Sequence, residues 1–344
     1  MTLGVAVIGT GRFAREHLVA LAGLPDVQVT HVVGHDLDRA RELAALVPGA
    51  LATSDAEAAI RDAAVDAVDV CTWTPGHAPW TIAAGRAGKH VHVEKPAALS
   101  IADLDAMIAA TEGNGTSLMV GQTVRFQPAI ADLQRRLARG DIGDPRLLHV
   151  SWYTGHVWPE GWRGWQYDAA LSGGHPVHNG THSVDLAVWL MGSRPVEVFT
   201  RGLRTWATGT PIPDSFQMQL RFENGSLATL ELCYALRQSG ELFRRVMLAG
   251  TTGTLAHSTA DDPGLTSPGH PVPPASVEGA LRAQLAHWVD GVQAGTPFLV
   301  TTAQARVALR TALAAQRSLV TGAPVSIDHD APAGNDGLTT GSGR

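Results

Sequence analysis

The residues best placed to do chemistry are a lysine and a pair of histidines. Lys95 stands in Glu94-Lys95-Pro96, directly after the short apolar run His90-Val91-His92-Val93. Gly88 stops the helix before that run, and Pro96 pushes Lys95 towards extended or polyproline-like angles. A lysine at the carboxyl end of a strand in an α/β sheet sits where such sheets bind ligands. The histidines lie in Ser172-Gly173-Gly174-His175-Pro176-Val177-His178-Asn179-Gly180-Thr181-His182-Ser183-Val184-Asp185. With a helix begun by residue 178, His178, His182 and Asp185 share one face at i, i+4 and i+7. Two imidazoles four apart could hold a metal, but the glutamate of the zinc-protease pattern and a third ligand are both missing. Acid–base chemistry is the better reading, because imidazole titrates near neutrality and can accept a hydroxyl proton.

The elements before Lys95 read as a nucleotide-binding half. A strand from Gly4 to Ile8 leads into Gly9-Thr10-Gly11-Arg12-Phe13-Ala14 and an amphipathic run to Leu24. Gly9 permits the tight turn, Gly11 lets the backbone approach a pyrophosphate, and Ala14 allows close helix–strand packing. The second strand, Val27 to Val33, ends in Gly34-His35-Asp36, where an acid contacting the ribose is expected. Gly34 leaves space for a 2′-phosphate, and His35 can lie against it or the adenine. Asp36 either swings in or caps the helix from Leu37 to Leu46. The reading leans to NADP over NAD. A strand from Ala67 to Cys71 ends in a turn-rich loop from Thr72 to His77 on the cofactor side. Helices from Ala78 to Ala87 and Ile101 to Thr111, with a strand from Ser117 to Gly121, complete an alternation that implies a parallel sheet. The expected cofactor contacts are Gly9, Thr10, Gly11, Arg12, Phe13, Gly34, His35, Asp36, Thr72, His77, Glu94, Lys95 and Gln122. The fold class is α/β, with a doubly wound Rossmann domain over residues 1–122.

The character then changes. Trp152, Trp158, Trp162 and Trp165 crowd one segment, four of the nine tryptophans in the chain. Flat rings with polar edges suit the CH faces of a sugar or polyol, so Trp152, Trp162 and Trp165, with Arg125, are expected to wall a substrate site. Phe216 to Phe222 and Leu227 to Tyr234 alternate in polarity around Asn224-Gly225, a hairpin signal. Arg244 to Ala249 adds a strand, and Gly250 to Gly253 turns into Thr254-Leu255-Ala256. Residues 261–277 read as a surface loop, followed by helices from Glu278 to Ala294 and Thr302 to Thr321. The second domain, 123–328, is therefore expected to be α+β on a largely antiparallel open sheet, with 329–344 a flexible tail.

Composition narrows the partners. The 344 residues are 44% hydrophobic and 17% charged, enough for two cores. A net charge of -6 gives no reason to expect nucleic acid or an anionic membrane. Cys71 and Cys233 form no metal or redox pattern, so a reducing cytoplasm is the simplest setting. The first strand begins almost at once, leaving no room for a secretory leader, and no apolar run approaches membrane-spanning length. A soluble cytoplasmic protein without repeats is expected.

The combination resembles the glucose–fructose oxidoreductase / inositol dehydrogenase / rhizopine-catabolism (Gfo/Idh/MocA) family over roughly residues 3 to 328. The resemblance rests on Gly9 to Ala14, Ala87 to Pro96, Arg125-Phe126 with Pro128, Gly173-Gly174, His182 with Asp185, and Gly250 to Leu255. It implies an NAD(P)-dependent enzyme moving a hydride between nicotinamide and a carbinol carbon of a sugar, inositol or related polyol. It also implies an open sheet that builds a homodimer or homotetramer. By the same resemblance Lys95 hydrogen-bonds the reacting oxygen and helps hold the nicotinamide, and His182 accepts the proton. Where the family usually has an aspartate, this chain has His178, a departure that falls on the proton relay and the substrate. His175, after the two glycines, is a second departure. Two other readings belong to the same scaffold: a dinucleotide-sensing regulator without catalysis, and a dihydrodiol, biliverdin or imine reductase.

Overall fold

The computed structural model describes residues 2–155, 164–205, 212–236, 242–259 and 277–333. In chain order the first elements are β1 (Leu3–Ile8), α1 (Arg12–Ala22), β2 (Val27–Val33), α2 (Leu37–Ala44), β3 (Leu51–Thr53) and α3 (Ala56–Arg61). They are followed by β4 (Ala67–Val70), α4 (His77–Arg86), β5 (His90–Glu94), α5 (Ile101–Glu112) and β6 (Leu118–Gly121). Next come α6 (Pro128–Ala138), β7 (Pro145–Gly155), α7 (Ala169–Ser172), α8 (His175–His178) and α9 (Thr181–Met191). The chain continues through β8 (Pro195–Leu203), β9 (Ser215–Phe222), β10 (Leu227–Leu236), β11 (Leu242–Gly250) and β12 (Thr254–Ser258). It closes with α10 (Val277–Ala294), α11 (Thr302–Thr321) and β13 (Val325–Ser326).

These elements form two compact units. The first holds 1–126 with 278–306, and the second holds 127–277 with 307–344. In the first, β1 is apolar and buried along its whole length, as a parallel strand covered on both faces must be. Its sheet runs β3-β2-β1-β4-β5-β6, all parallel, so strand order reverses between β1 and β4. Ligands of such sheets bind at that reversal, beyond the carboxyl ends of the strands. Asp36, Asp55 and Ser100 cap the helices that follow, each accepting first-turn N–H groups, worth about 1 kcal/mol apiece.

The helix α10, expected in the second domain, belongs with the first unit. It docks there through the fully buried Trp288, whose indole lies 5.5 Å from the His92 ring, and through Arg282 donating to the Gly23 carbonyl at 2.8 Å. Sequence order hid this return, because nothing in an amphipathic helix names its docking partner.

The second unit is built on a sheet of order β12-β11-β7-β10-β9-β8-β13. Every pair is antiparallel except β7 with β10. The Asn224-Gly225 hairpin joins β9 and β10 as expected, with Leu227 opposite Arg221. Along β9, Phe216, Met218, Leu220 and Phe222 are buried while Gln217, Gln219 and Arg221 face out. The helix α9, buried along nearly its whole length, packs on β7 and β10. The surface loop expected at 261–277 lies almost wholly outside the described residues, as does the flexible tail expected at 329–344 beyond residue 333. Within that tail His329 Nε2 donates to the Pro195 carbonyl at 2.7 Å and the Ala331 carbonyl accepts from Arg310 at 2.9 Å, so 329–331 are bonded to the fold.

Candidate active site

In the first unit the expected cofactor residues gather at one edge. Gly9 takes a φ of +135°, and a Cβ there would collide with the Cys71 carbonyl, so only glycine makes this turn. Gly11 is the N-cap of α1, with no side-chain cap and open space where a Cβ would stand. No side chain caps the first turn of α1, whose N–H groups point where an anion would bind. The ends of β2, β4, β5 and β6 bring Gly34, Thr72, Lys95 and Gln122 to the same edge. The Gln122 side-chain oxygen is buried with no partner among the described residues. An uncapped helix start, a glycine approach and a spare buried acceptor fit a dinucleotide.

Four expected contacts are occupied otherwise, Glu94 among them through the Lys95 N–H and His17. Gly34 makes room for Thr10, whose side chain fills the position a Cβ would take, so this glycine does not open space for a 2′-phosphate. Asp36 is the cap of α2, its Oδ1 accepting from the N–H groups of Asp38 and Arg39 at 3.1 Å. His77 is 1% exposed, and its ring nitrogens lie 2.9 Å from the Pro96 carbonyl and 3.0 Å from that of Thr72. It staples the loop after β4 to the loop after β5, in place of touching a cofactor, and burial pushes its pKa down. His35 and Arg12 are exposed, and Thr10 and Phe13 half-buried.

Lys95 is half-buried at the end of β5, and its peptide bond to Pro96 is cis. Burial lowers its pKa from the ordinary range against the opposing pull of Glu94, which makes the ammonium a stronger hydrogen-bond donor. Behind it lies a charge network that the sequence reading missed. Glu94 turns inward: Oε2 accepts from the Lys95 backbone N–H, and Oε1 lies 3.4 Å from His17 Nε2. His17 Nδ1 donates to Asp69 Oδ2 at 2.8 Å, and His92 Nδ1 is 2.7 Å from Asp69 Oδ1. On its other side the His92 ring meets the Gln284 amide of α10 at 3.0 Å. Burial alone would neutralise His17, but the Asp69 carboxylate outweighs it and holds the imidazole pKa well above 6.5. Asp69 is likewise held far below the usual carboxylate range, with burial overridden by its two histidines. His17, Asp69 and His92 are metal-ligand types, yet each Asp69 oxygen already meets an imidazole nitrogen at hydrogen-bond distance. A signal was present: Asp69 and His92 are polar residues inside buried strands and are direct cross-strand partners.

In the second unit the histidine segment is not one helix. The short α8 ends at His178 and α9 begins at Thr181, with Gly180 pressed against Pro176 and its N–H reaching back to the His175 carbonyl. The single face expected for His178, His182 and Asp185 is therefore broken at Asn179-Gly180. His178 meets the edge of Trp165 at 5.1 Å, whereas His182 stacks on Trp152 at 5.7 Å and 21°. His182 is half-buried in the first turn of α9. His175 is 1% exposed among Tyr167, Phe216 and Tyr234, and burial pushes its pKa down to about 4, so it packs there as a neutral ring.

Arg125 is not part of this wall. It is fully buried in the first unit, donating to the Leu299 carbonyl at 3.0 Å and to Gln304 Oε1 at 2.7 Å. Trp162 lies outside the described residues. Trp152 and Trp165, both half-buried, are the two expected tryptophans that do border histidines.

Both parts of the chain match a known family. Residues 3–122 match the family described as an oxidoreductase family with an NAD-binding Rossmann fold, and 130–256 match the GFO/IDH/MocA C-terminal domain. An inositol 2-dehydrogenase of Paenarthrobacter aurescens is 30% identical, over 86% of this chain and 89% of its own. A probable dehydrogenase from Thermotoga maritima superposes with a TM-score of 0.86 at 26% identity, covering 94% of this chain and 98% of that one. GenD2 of gentamicin A biosynthesis, solved with NAD, gives 0.83 at 25% identity over 95% and 97%. With both halves matched and the dinucleotide edge in place, the chain belongs to the Gfo/Idh/MocA family of oxidoreductases.

Proposed function

We propose that the protein is an NAD(P)-dependent dehydrogenase acting on a CH–OH group of a sugar, inositol or related polyol. The observation that carries this is Lys95, a half-buried ammonium of lowered pKa on the strand edge that also holds the uncapped start of α1. The names of the relatives, several of them inositol dehydrogenases, favour the substrate class.

In this reading Lys95 donates a hydrogen bond to the reacting oxygen and steadies its negative charge. His182 takes the hydroxyl proton, and His178 binds a neighbouring hydroxyl or tunes His182. Gly9, Thr10, Gly11, Arg12 and Phe13 hold the pyrophosphate side, and Gln122 offers an acceptor further along the edge. The bound nicotinamide supplies the hydride acceptor. Trp152 and Trp165 give flat apolar walls to the CH faces of the substrate. The lean to NADP is supported by the commitment of Asp36 to its helix cap and by Arg39, whose Nε reaches the Thr10 carbonyl at 3.3 Å. That places a cation beside the loop, its Nη1 shared with Glu42 Oε2 at 2.8 Å. A homodimer or homotetramer is supported by the face of the sheet opposite α9, where Leu147, Leu227 and Met247 stand exposed.

Lys95→Ala and His182→Ala should each lower turnover by about 10² or more while cofactor still binds. Steady-state kinetics with calorimetric cofactor titration reads both quantities. Near-wild-type turnover in both variants would remove the assignment.

A further inference from the structure

Arg244, on β11, is 1% exposed, and its Nε and Nη1 are buried with no hydrogen-bond partner among the described residues. Its backbone pairs with Thr259, through Arg244 N–H to Thr259 Oγ1 at 2.9 Å and Thr259 N–H to the Arg244 carbonyl at 2.9 Å. These bonds fix the point from which the side chain extends. It lies over Trp152, its cross-strand partner, with Cζ 5.2 Å from the ring centroid. Trp152 in turn carries His182 stacked on it. The candidate base, the aromatic wall and an enclosed guanidinium thus share one face of one sheet.

A guanidinium with five donors is rarely buried unless something accepts from it. Among the described residues no carboxylate pairs with it: Glu231 bonds Ser151 and Gln217 on the other face of the sheet. Burial pushes the Arg244 pKa down, to about 10, with no opposing acid among the described residues. The Trp152 face offsets part of the lost hydration, but it accepts no N–H in the plane of the guanidinium. Trp152 is half-buried, so solvent reaches the ring that borders the cation.

We propose that Arg244 receives a carboxylate carried by the substrate, so that the enzyme acts on a hydroxylated acid such as a uronic or aldonic acid. A carboxylate matches one guanidinium in charge and planarity. A phosphate dianion would leave a second charge uncompensated in the same enclosed place. The proposal rests on the dehydrogenase reading above and narrows its substrate.

The test compares D-glucuronate, D-galacturonate and D-gluconate with D-glucose, D-galactose and myo-inositol, on the full chain with cofactor. Wild type, Arg244→Met and Arg244→Lys are assayed, and D-glucuronate binding is measured by calorimetry. The expected result is a preference for the acids in wild type. The acid-to-neutral ratio of kcat/KM then falls about 10²-fold in Arg244→Met, mostly through KM, and partly recovers in Arg244→Lys. Without ligand, Arg244→Met should melt no lower than wild type, because an enclosed unpaired charge has been removed. An unchanged ratio, a wild-type preference for the neutral compounds, or a lower melting temperature with the ratio intact would overturn the proposal and leave Arg244 a packing residue on Trp152. If no compound of either kind reduced the cofactor, the dehydrogenase reading would fail. D-glucuronate binding that weakens in Arg244→Met would still separate the two claims.

Discussion

Asp69 meets two imidazoles at once, and this ties the pH dependence of the fold to His17. The His17 pKa is raised on folding, so its stabilising share is complete below the ordinary 6.5 and is lost as pH rises through the higher folded value. The Asp69 pKa is lowered, so its share is present above the ordinary 3.8 and is lost as pH falls through the folded value. Between those limits the pair is fully charged. Urea unfolding should therefore show stability declining from neutral into alkaline pH, and His17→Gln should flatten that alkaline slope while lowering stability near neutrality by about 3 kcal/mol. A variant that kept the wild-type slope would mean another group titrates. The chemistry of Lys95 was legible because a proline and a strand end frame it in sequence. Its support was not, because His17, Asp69, His92 and Gln284 come from four elements that only the folded sheet brings together.

At the scale of elements, the unit β1–Gly9–α1 was readable because an apolar strand, two glycines and a small residue each answer a steric need. Gly34 was read correctly as a missing side chain, for the wrong neighbour: the clash it avoids is with Thr10, and sequence spacing carries no trace of that contact. Arg39 is the consequence. Its position beside the Thr10 carbonyl predicts that Arg39→Ala weakens NADP(H) about 10-fold and NAD(H) far less, as calorimetry on cofactor-free protein would show. Equal losses for both cofactors would place Arg39 in loop support only. The strand β7 was not foreseen, although its Trp152 was. It pairs with β10 on one side and β11 on the other, and Trp152 shows half-exposure in a strand that alternates poorly. The break between α8 and α9 also escaped, since a helix begun by residue 178 was taken to run unbroken through Asn179-Gly180.

For the whole molecule, length and composition allow two cores, and the α/β class followed from alternating elements. The assignment of α10 to the first unit did not, because a chain's return to an earlier core leaves no local mark. Among the described residues no helix is long and apolar enough to cross a membrane. The sheet face bearing Leu147 and Leu227, which are direct partners in the β7–β10 ladder, predicts self-association. Leu147→Glu combined with Leu227→Glu should convert the assembly to monomers in sedimentation velocity, with the far-ultraviolet circular dichroism unchanged. A wild type that sediments as a monomer would refute that role for the face. The central claim is hydride transfer from a carbinol carbon, and it is tested most directly by isotope. A sugar, cyclitol or sugar-acid panel deuterated at the carbinol carbons would be incubated with oxidised cofactor, and the reduced cofactor read by mass spectrometry and proton NMR. Deuterium is expected at nicotinamide C4 in wild type, and at a rate about 10²-fold lower in Lys95→Ala. Cofactor that binds tightly yet stays oxidised with every member of the panel would contradict it.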